Sequence, residues 1–213
     1  MIRGILFSFL SAFLSATTVA QVVTSTASSG AGSLRDVAAA AAPNATITFD
    51  PSLDGQSILL EGSPITLTKN VNIDASGLSV TVAISGGGDS IFIINNGVNA
   101  TLTRLTLLDA ERAISNDGTT TINQCLLTQN SSDSFAGAIL NNATGTLTVR
   151  DSTLAQNTAV TSGAAIFSSG ILNVLNSTIA NNCADLEGAG ILCQSGTVFV
   201  QQSTISGNKA VTA

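Results

Sequence analysis

The chain has 213 residues, only 9% of them charged, and a formal net charge of −6. So few cations exclude the basic patch that nucleic acid or an anionic membrane surface would select, and solubility must come from Ser, Thr, Asn and Gln. With no His, Trp or Tyr, the chain also lacks the usual proton shuttle, the commonest metal ligand and the usual sugar-stacking platforms.

Residues 1–20 read as a secretory signal peptide. Arg3 supplies the positive start, residues 5–14 the apolar core, and Thr18-Val19-Ala20 a small-residue cleavage site before Gln21. Ser8, Ser11 and Ser15 interrupt the run short of the roughly 20 apolar residues that a spanning helix needs. No other long apolar run follows, so no membrane span is expected in the mature chain.

Residues 21–45 read as an N-terminal cap. A short strand in VVTSTAS and a glycine turn lead to Ser33-Leu34-Arg35-Asp36, which has the character of a capping box with Asp36 in place of the usual Glu or Gln. Residues 37–42 extend the helix as far as Pro43. A helix at this point would cover the first unpaired rung of a repeat stack. The whole stretch GAGSLRDVAAAAAPNATITFDPSLDGQSILL resembles the opening of exported bacterial β-helix proteins, in which a Gly-Ser-Leu-Arg helix precedes a Thr-Ile-Thr-Phe-Asp strand. The resemblance implies a fold, because members of that group share no single activity.

Short strands are expected at 47–49, 57–60, 65–67 and 71–73, separated by Asp-Pro, Asp-Gly, Gly-Ser-Pro and Lys-Asn turns. Val80, Val82 and Ile84 alternate, as do Ile91 and Ile93, with Gly86-Gly87-Gly88-Asp89 between them. That glycine run is a turn and not a phosphate loop, since no Gly-Lys-Ser/Thr follows it. From Ala100, ATLTRLTLLDA is a degenerate copy of what comes next, with Ala110 at the position that later copies fill with Asn.

Four copies of one unit follow: TTTINQCLLTQN from Thr119, TLTVRDSTLAQN from Thr146, ILNVLNSTIANN from Ile171 and TVFVQQSTISGN from Thr197. They close on Asn130, Asn157, Asn182 and Asn208, spaced by 27 (157 − 130), 25 (182 − 157) and 26 (208 − 182) residues. FAGAILNNATG, SGAAIFSSG and EGAGILCQSG connect them, each running through Ile139, Ile166 or Ile191 to a turn at Gly145, Gly170 or Gly196. A period in the twenties built from alternating segments and Gly/Asn turns marks a solenoid with one rung per repeat. Like residues then stack about 4.8 Å apart, so that Leu127, Leu154, Ile179 and Ile205 form an aliphatic column and the four asparagines a ladder. Asn suits a sharp corner because it tolerates left-handed backbone and its amide can pair with the backbone or with the next Asn.

AGAI at Ala136, GAAI at Gly163 and GAGI at Gly188, paired with LTQN, LAQN, IANN and ISGN, resemble the repeats of the polymorphic outer membrane protein type. The glycine doublet of that pattern is here reduced to Ala-Gly or Gly-Ala, and the Asn motif lacks its Phe. The resemblance implies an all-β, right-handed, single-stranded parallel β-helix occupying residues 46–213 behind the short capping helix.

The repeat is still running at the last residue, Ala213, so further rungs or a capping partner are expected beyond Asn208. The cysteines are Cys125, Cys183 and Cys193. Cys183 and Cys193 are the close pair that could form a disulfide, whereas Cys125 falls in register with Ser152, Ser177 and Ser203; buried thiols are the expectation. Five Asn-x-Ser/Thr triplets, at Asn44, Asn99, Asn130, Asn142 and Asn176, arise from composition alone, and Asn130 would point inward.

Asp109, Glu111 and Arg112 form the densest charged site, with Asp133 one rung on, Asp185 further along the same column and Glu187 close by. Asp109, Glu111 and Asp133 are the candidate ligands for calcium, the one cofactor the sequence suggests; no catalytic residue is assigned. Thr101 with Thr103, Thr119 with Thr121 and Thr146 with Thr148 would form outward rows suited to a flat ligand-ordering face, until Ile171 and Asn173, and then Phe199, interrupt them. The expected function is a secreted or cell-surface rod, in the extracellular space or at the outer membrane, with a structural, adhesive or passenger role towards a cell-surface or polysaccharide ligand. The alternative is a pectate-lyase-like enzyme acting on acidic polysaccharide.

Overall fold

The computed structural model describes residues 21–88 and 90–211, which fold as a β-solenoid in which every strand pair is parallel. The expected signal peptide lies outside the described residues. Three faces make up each rung. The first is an eight-stranded sheet running from Gln21–Val23 and Ala45–Phe49 through Thr119–Asn123, Thr146–Arg150 and Ile171–Leu175 to Thr197–Gln201. The second has seven strands, from Ser57–Leu60 to Thr204–Ser206, and the third has six, from Ile65–Leu67 to Ile191–Cys193. Between the second and third faces the regular repeats add a narrow strip of two-residue strands, Ser131–Ser132, Thr158–Ala159, Cys183–Ala184 and Lys209–Ala210.

Strand alternation sends every second side chain inward, and register makes those side chains continuous along the rod. On the first face Ile47, Ile73, Leu102, Ile122, Val149 and Val174 stack directly on one another, all fully buried. The column of Leu127, Leu154, Ile179 and Ile205 runs up the second face, and Ile114, Ile139, Ile166 and Ile191 up the third. Each fully buried aliphatic side chain contributes about 1.5–3 kcal/mol. On the last described rung Val200 and Ile205, which continue these columns, are 42% and 49% exposed.

The cap at the other end is built as a plug. Helix α1, Leu34–Ala40, begins at Ser33, whose side chain accepts from the Asp36 backbone N–H at 3.2 Å. Only half of the capping box forms, because the Ser33 N–H is taken by the Gly30 carbonyl. Leu34, Ala38 and Ala41 are buried against the first rung. Arg35 fastens the helix by donating to the carbonyls of Ser28, Pro64 and Glu61. The helix stops at Ala40, short of the expected 42, since the chain must become extended ahead of Pro43. Its last carbonyls are met from another segment: the Lys69 ammonium donates to Ala39 at 2.8 Å and Ala41 at 2.7 Å, a cation at the negative end of the helix.

The corners correct one expectation. Left-handed backbone recurs in two columns flanking the second face, Arg104, Gln124, Asp151, Asn176 and Gln202 before it and Asp109, Gln129, Gln156, Asn181 and Gly207 after it, and in a third at Ala136, Gly163 and Gly188. The inward asparagines are the residues immediately after the second column and are not themselves left-handed. The turn is thus made by one residue and satisfied by the next, which separates the two virtues that the sequence credited to a single Asn.

Candidate functional site

The four asparagines do meet in a ladder inside the rod. Asn157 Oδ1 accepts from both the backbone N–H and the side-chain amide of Asn130, at 3.1 and 2.9 Å. Asn182 does the same for Asn157, and Asn208 for Asn182. The side-chain amides of Asn130, Asn157 and Asn182 also reach the carbonyl two residues back, as Asn157 Nδ2 does to Ala155. One rung earlier Ala110 ends the ladder by donating its N–H to Asn130 Oδ1 at 3.2 Å. Ser152, Ser177 and Ser203 perform the same service at the other corner: each hydroxyl accepts the N–H of its counterpart one rung back and donates to the carbonyl two residues earlier. Cys125 occupies this column with its thiol between the Leu105 N–H and the Leu102 and Asn123 carbonyls, and burial pushes its pKa up to about 11.

A third internal ladder escaped the sequence reading. Asn116 donates to Asn141 Oδ1 at 2.8 Å, and Asn141 to Ser168 Oγ at 3.0 Å, all buried beneath the third face. Its signal was the triplets Ile-Ser-Asn, Ile-Leu-Asn, Ile-Phe-Ser and Ile-Leu-Cys, in which the polar third residue shares the inward phase of the Ile. Cys193 ends this column in an exposed position, Cys183 lies half-buried in the corner strip, and all three thiols are free. Of the thiols expected to be buried, only Cys125 is, because the other two sit on outward or terminal positions.

Asp109, Glu111 and Asp133 line one depression of about 500 Å³ together with Gly88, Gln129 and Ser131. They do not converge as a ligand set, and among the described residues no group of three or more metal-binding side chains does. Glu111 lies 3.8 Å from Arg112, a half-exposed pair worth at most about 1 kcal/mol. Arg112 itself is a clamp: its guanidinium donates to the carbonyls of Phe135 and Ala136, at 2.9 and 3.1 Å, and holds the loop after Ser132. Asp133 is followed in its column by Val160 and then Asp185, which breaks the acidic row. The threonine rows are narrower than expected. Thr101, Thr121 and Thr148 stack, but Thr103 stands over Asn123 and Arg150.

The larger depression, about 680 Å³, lies on the outer side of the third face and had no counterpart in the sequence reading. Its floor is the column of Leu140, Phe167 and Leu192, the outward residues of three successive strands. Asn142, Ser169 and Gln194 run parallel to it, each the first residue beyond its strand. Phe135, on the loop clamped by Arg112, stacks on Phe167 with ring centroids 4.8 Å apart and 27° between planes. Thr161, Ser162 and Glu187 close the remaining side. Thr161 Oγ1 is buried and has no hydrogen-bond partner among the described residues. The sequence could not pair two aromatics 32 residues apart (167 − 135), in unlike segments, without knowing which loop folds over which strand.

Comparison with family models, with curated proteins and with solved structures gave no match to this chain.

Proposed function

We propose that the chain is the shaft of a secreted or cell-surface protein, with a structural, adhesive or passenger role and no catalysis of its own. The observation that carries this reading is the set of three internal hydrogen-bond ladders, which tie the regular rungs to one another and support a stiff, register-locked rod with a weakly charged exterior. The leader-like residues 1–20 and the Ser/Thr/Asn-rich surface suit export. Exposed Val200 and Ile205 offer a seat for a further rung or a capping partner. The pectate-lyase-like alternative is the weaker one: lyase chemistry on an acidic polysaccharide calls for a cationic residue to anchor it, and the acidic depression is lined by no Lys or Arg, while Arg112 is engaged with loop carbonyls.

Protease shaving of intact producing cells tests the placement. Release of rod peptides without lysis is expected, and recovery only from lysed cells overturns it. Production of unsaturated or reducing ends from acidic polysaccharide by the purified chain would overturn the non-catalytic part and install the lyase.

A further inference from the structure

We infer that the depression on the third face is a binding site for a neutral glycan. For its biological sense the inference rests on the adhesive reading; the site itself rests on the following geometry. Phe135 is 41% exposed and is nevertheless held in place twice, by its stack on Phe167 and by Arg112 from the rung before. A loop fastened in this way presents its ring at little further entropic cost on binding. The floor of Leu140, Phe167 and Leu192 is an apolar strip flanked by a strip of amides and a hydroxyl from Asn142, Ser169 and Gln194. A sugar ring has the same two-sided character, with C–H faces to lay on the apolar strip and hydroxyls for the amides, which can both donate and accept.

Charge narrows the class. The lining holds one carboxylate, Glu187, and no cation, so an anionic ligand is repelled, whereas a carboxylate readily accepts from neighbouring sugar hydroxyls. The volume of about 680 Å³ falls within the range of small-molecule sites, roughly 300–1,000 Å³. Adhesion to neutral glycan is therefore distinguished from the polygalacturonate chemistry of the alternative enzyme.

The test uses the purified chain with short neutral gluco-, manno- and galacto-oligosaccharides, and with an oligogalacturonate as the acidic counterpart. Exposed Cys193, part of the lining, is the built-in reporter, and buried Cys125 the internal control. At millimolar sugar, at least one neutral oligosaccharide is expected to slow maleimide labelling of Cys193 several-fold, as mapped by peptide mass, and to shift the amide resonances of the third face. Phe135→Ala and Glu187→Gln, both surface changes, should each abolish the protection while leaving the melting temperature near that of the parent. No protection by any neutral sugar, equal protection by the oligogalacturonate, or protection that survives Phe135→Ala overturns the site. Rods that are shaved from cells and adhere equally well with and without Phe135 would leave the surface reading intact and sink the cleft. Sugar-protected Cys193 in a protein recovered only after lysis would do the reverse.

Discussion

The early rungs and the regular rungs enclose the same core but turn their corners differently. Between the first and second faces, residues 50–56 form a loop around the short 3-10 turn Pro51–Leu53, with the Asp50 carboxylate accepting from the Ser52 N–H. The next rung spends residues 74–81 on the same corner, with Asp74 accepting from Ser76 and Asp54 from the Val80 N–H. The later rungs need only one left-handed residue followed by one inward Ser, Cys or Asn. A tight corner leaves backbone groups that only a stacked polar side chain can reach, so it forces the same residue type on every rung. A loose corner is satisfied by unlike partners, some local and some from the neighbouring rung, as Asp54 and Arg104 are, and this leaves its sequence free. Repetition in this chain is thus a consequence of corner geometry and not of the aliphatic core, which both regions share.

The sharpest way to break that comparison is to remove one step of the ladder. Asn157→Ala orphans the Asn130 N–H, takes one of three partners from the Asn130 side-chain amide and frees the Leu127 carbonyl, and should cost about 3 kcal/mol in urea unfolding. Asn123→Ala, at a half-exposed outward position of the first face, should stay within about 0.5 kcal/mol. Equal midpoints for the two variants would remove the ladder as the source of the repeat. Gly170→Ala attacks the same region from the backbone. A methyl group there would collide with the Gly145 carbonyl one rung back, as one at Gly196 would with that of Gly170, and overpacking of this kind costs about 1–3 kcal/mol. Gly62→Ala, with open space around it and a positive φ, isolates the conformational cost alone in the loose region.

Cys125 sharpens the comparison through pH. Its thiol pKa rises from 9.0 to about 11 because burial disfavours the thiolate, so the folded chain holds this proton more tightly than the unfolded one. The associated stability is fully present below pH 9.0 and is lost as pH rises through about 11. A two-unit shift corresponds to at most about 2.7 kcal/mol. Cys125→Ser, which places in the column the residue its neighbours Ser152 and Ser177 already use, should flatten the fall over that window relative to the parent. An unchanged slope would mean that Cys125 does not titrate with unfolding.

What the sequence disclosed follows the same division. Rungs, register and the Asn column were legible from Asn130 onward because stacking imposes identity on inward polar positions. The third ladder was hidden by its mixed chemistry, Asn, Asn and Ser ahead of a Cys, although a hydroxyl can stand in for an amide there. Asp109, Glu111 and Asp133 line one depression because register fixes which rungs they share. The aromatic depression was illegible because it depends on how the loop around Phe135 folds across the third face, and that loop is set by Arg112 from a different rung.

The smallest effect concerns the one regular position that breaks its own column. Ala136 has φ 63 where the next two rungs place Gly163 at φ 68 and Gly188 at φ 58. Left-handed backbone costs a non-glycine residue about 1–2 kcal/mol, and a methyl group at the glycine positions would sit 2.8 Å from Phe167 Cβ and 2.7 Å from Leu192 Cβ. Ala136→Gly should therefore stabilise the chain, less the extra chain entropy that glycine loses on folding, roughly 0.5–1 kcal/mol. A net gain of about 0.5–1 kcal/mol in the unfolding midpoint is expected. Gly163→Ala reverses the experiment and presses on Phe167, so it should lose stability and, by displacing the ring under Phe135, weaken sugar protection of Cys193 as well. If Ala136→Gly instead lowers the midpoint, the Ala136 methyl is packing that the glycine rungs lack, and the strain at this corner is absorbed by contact.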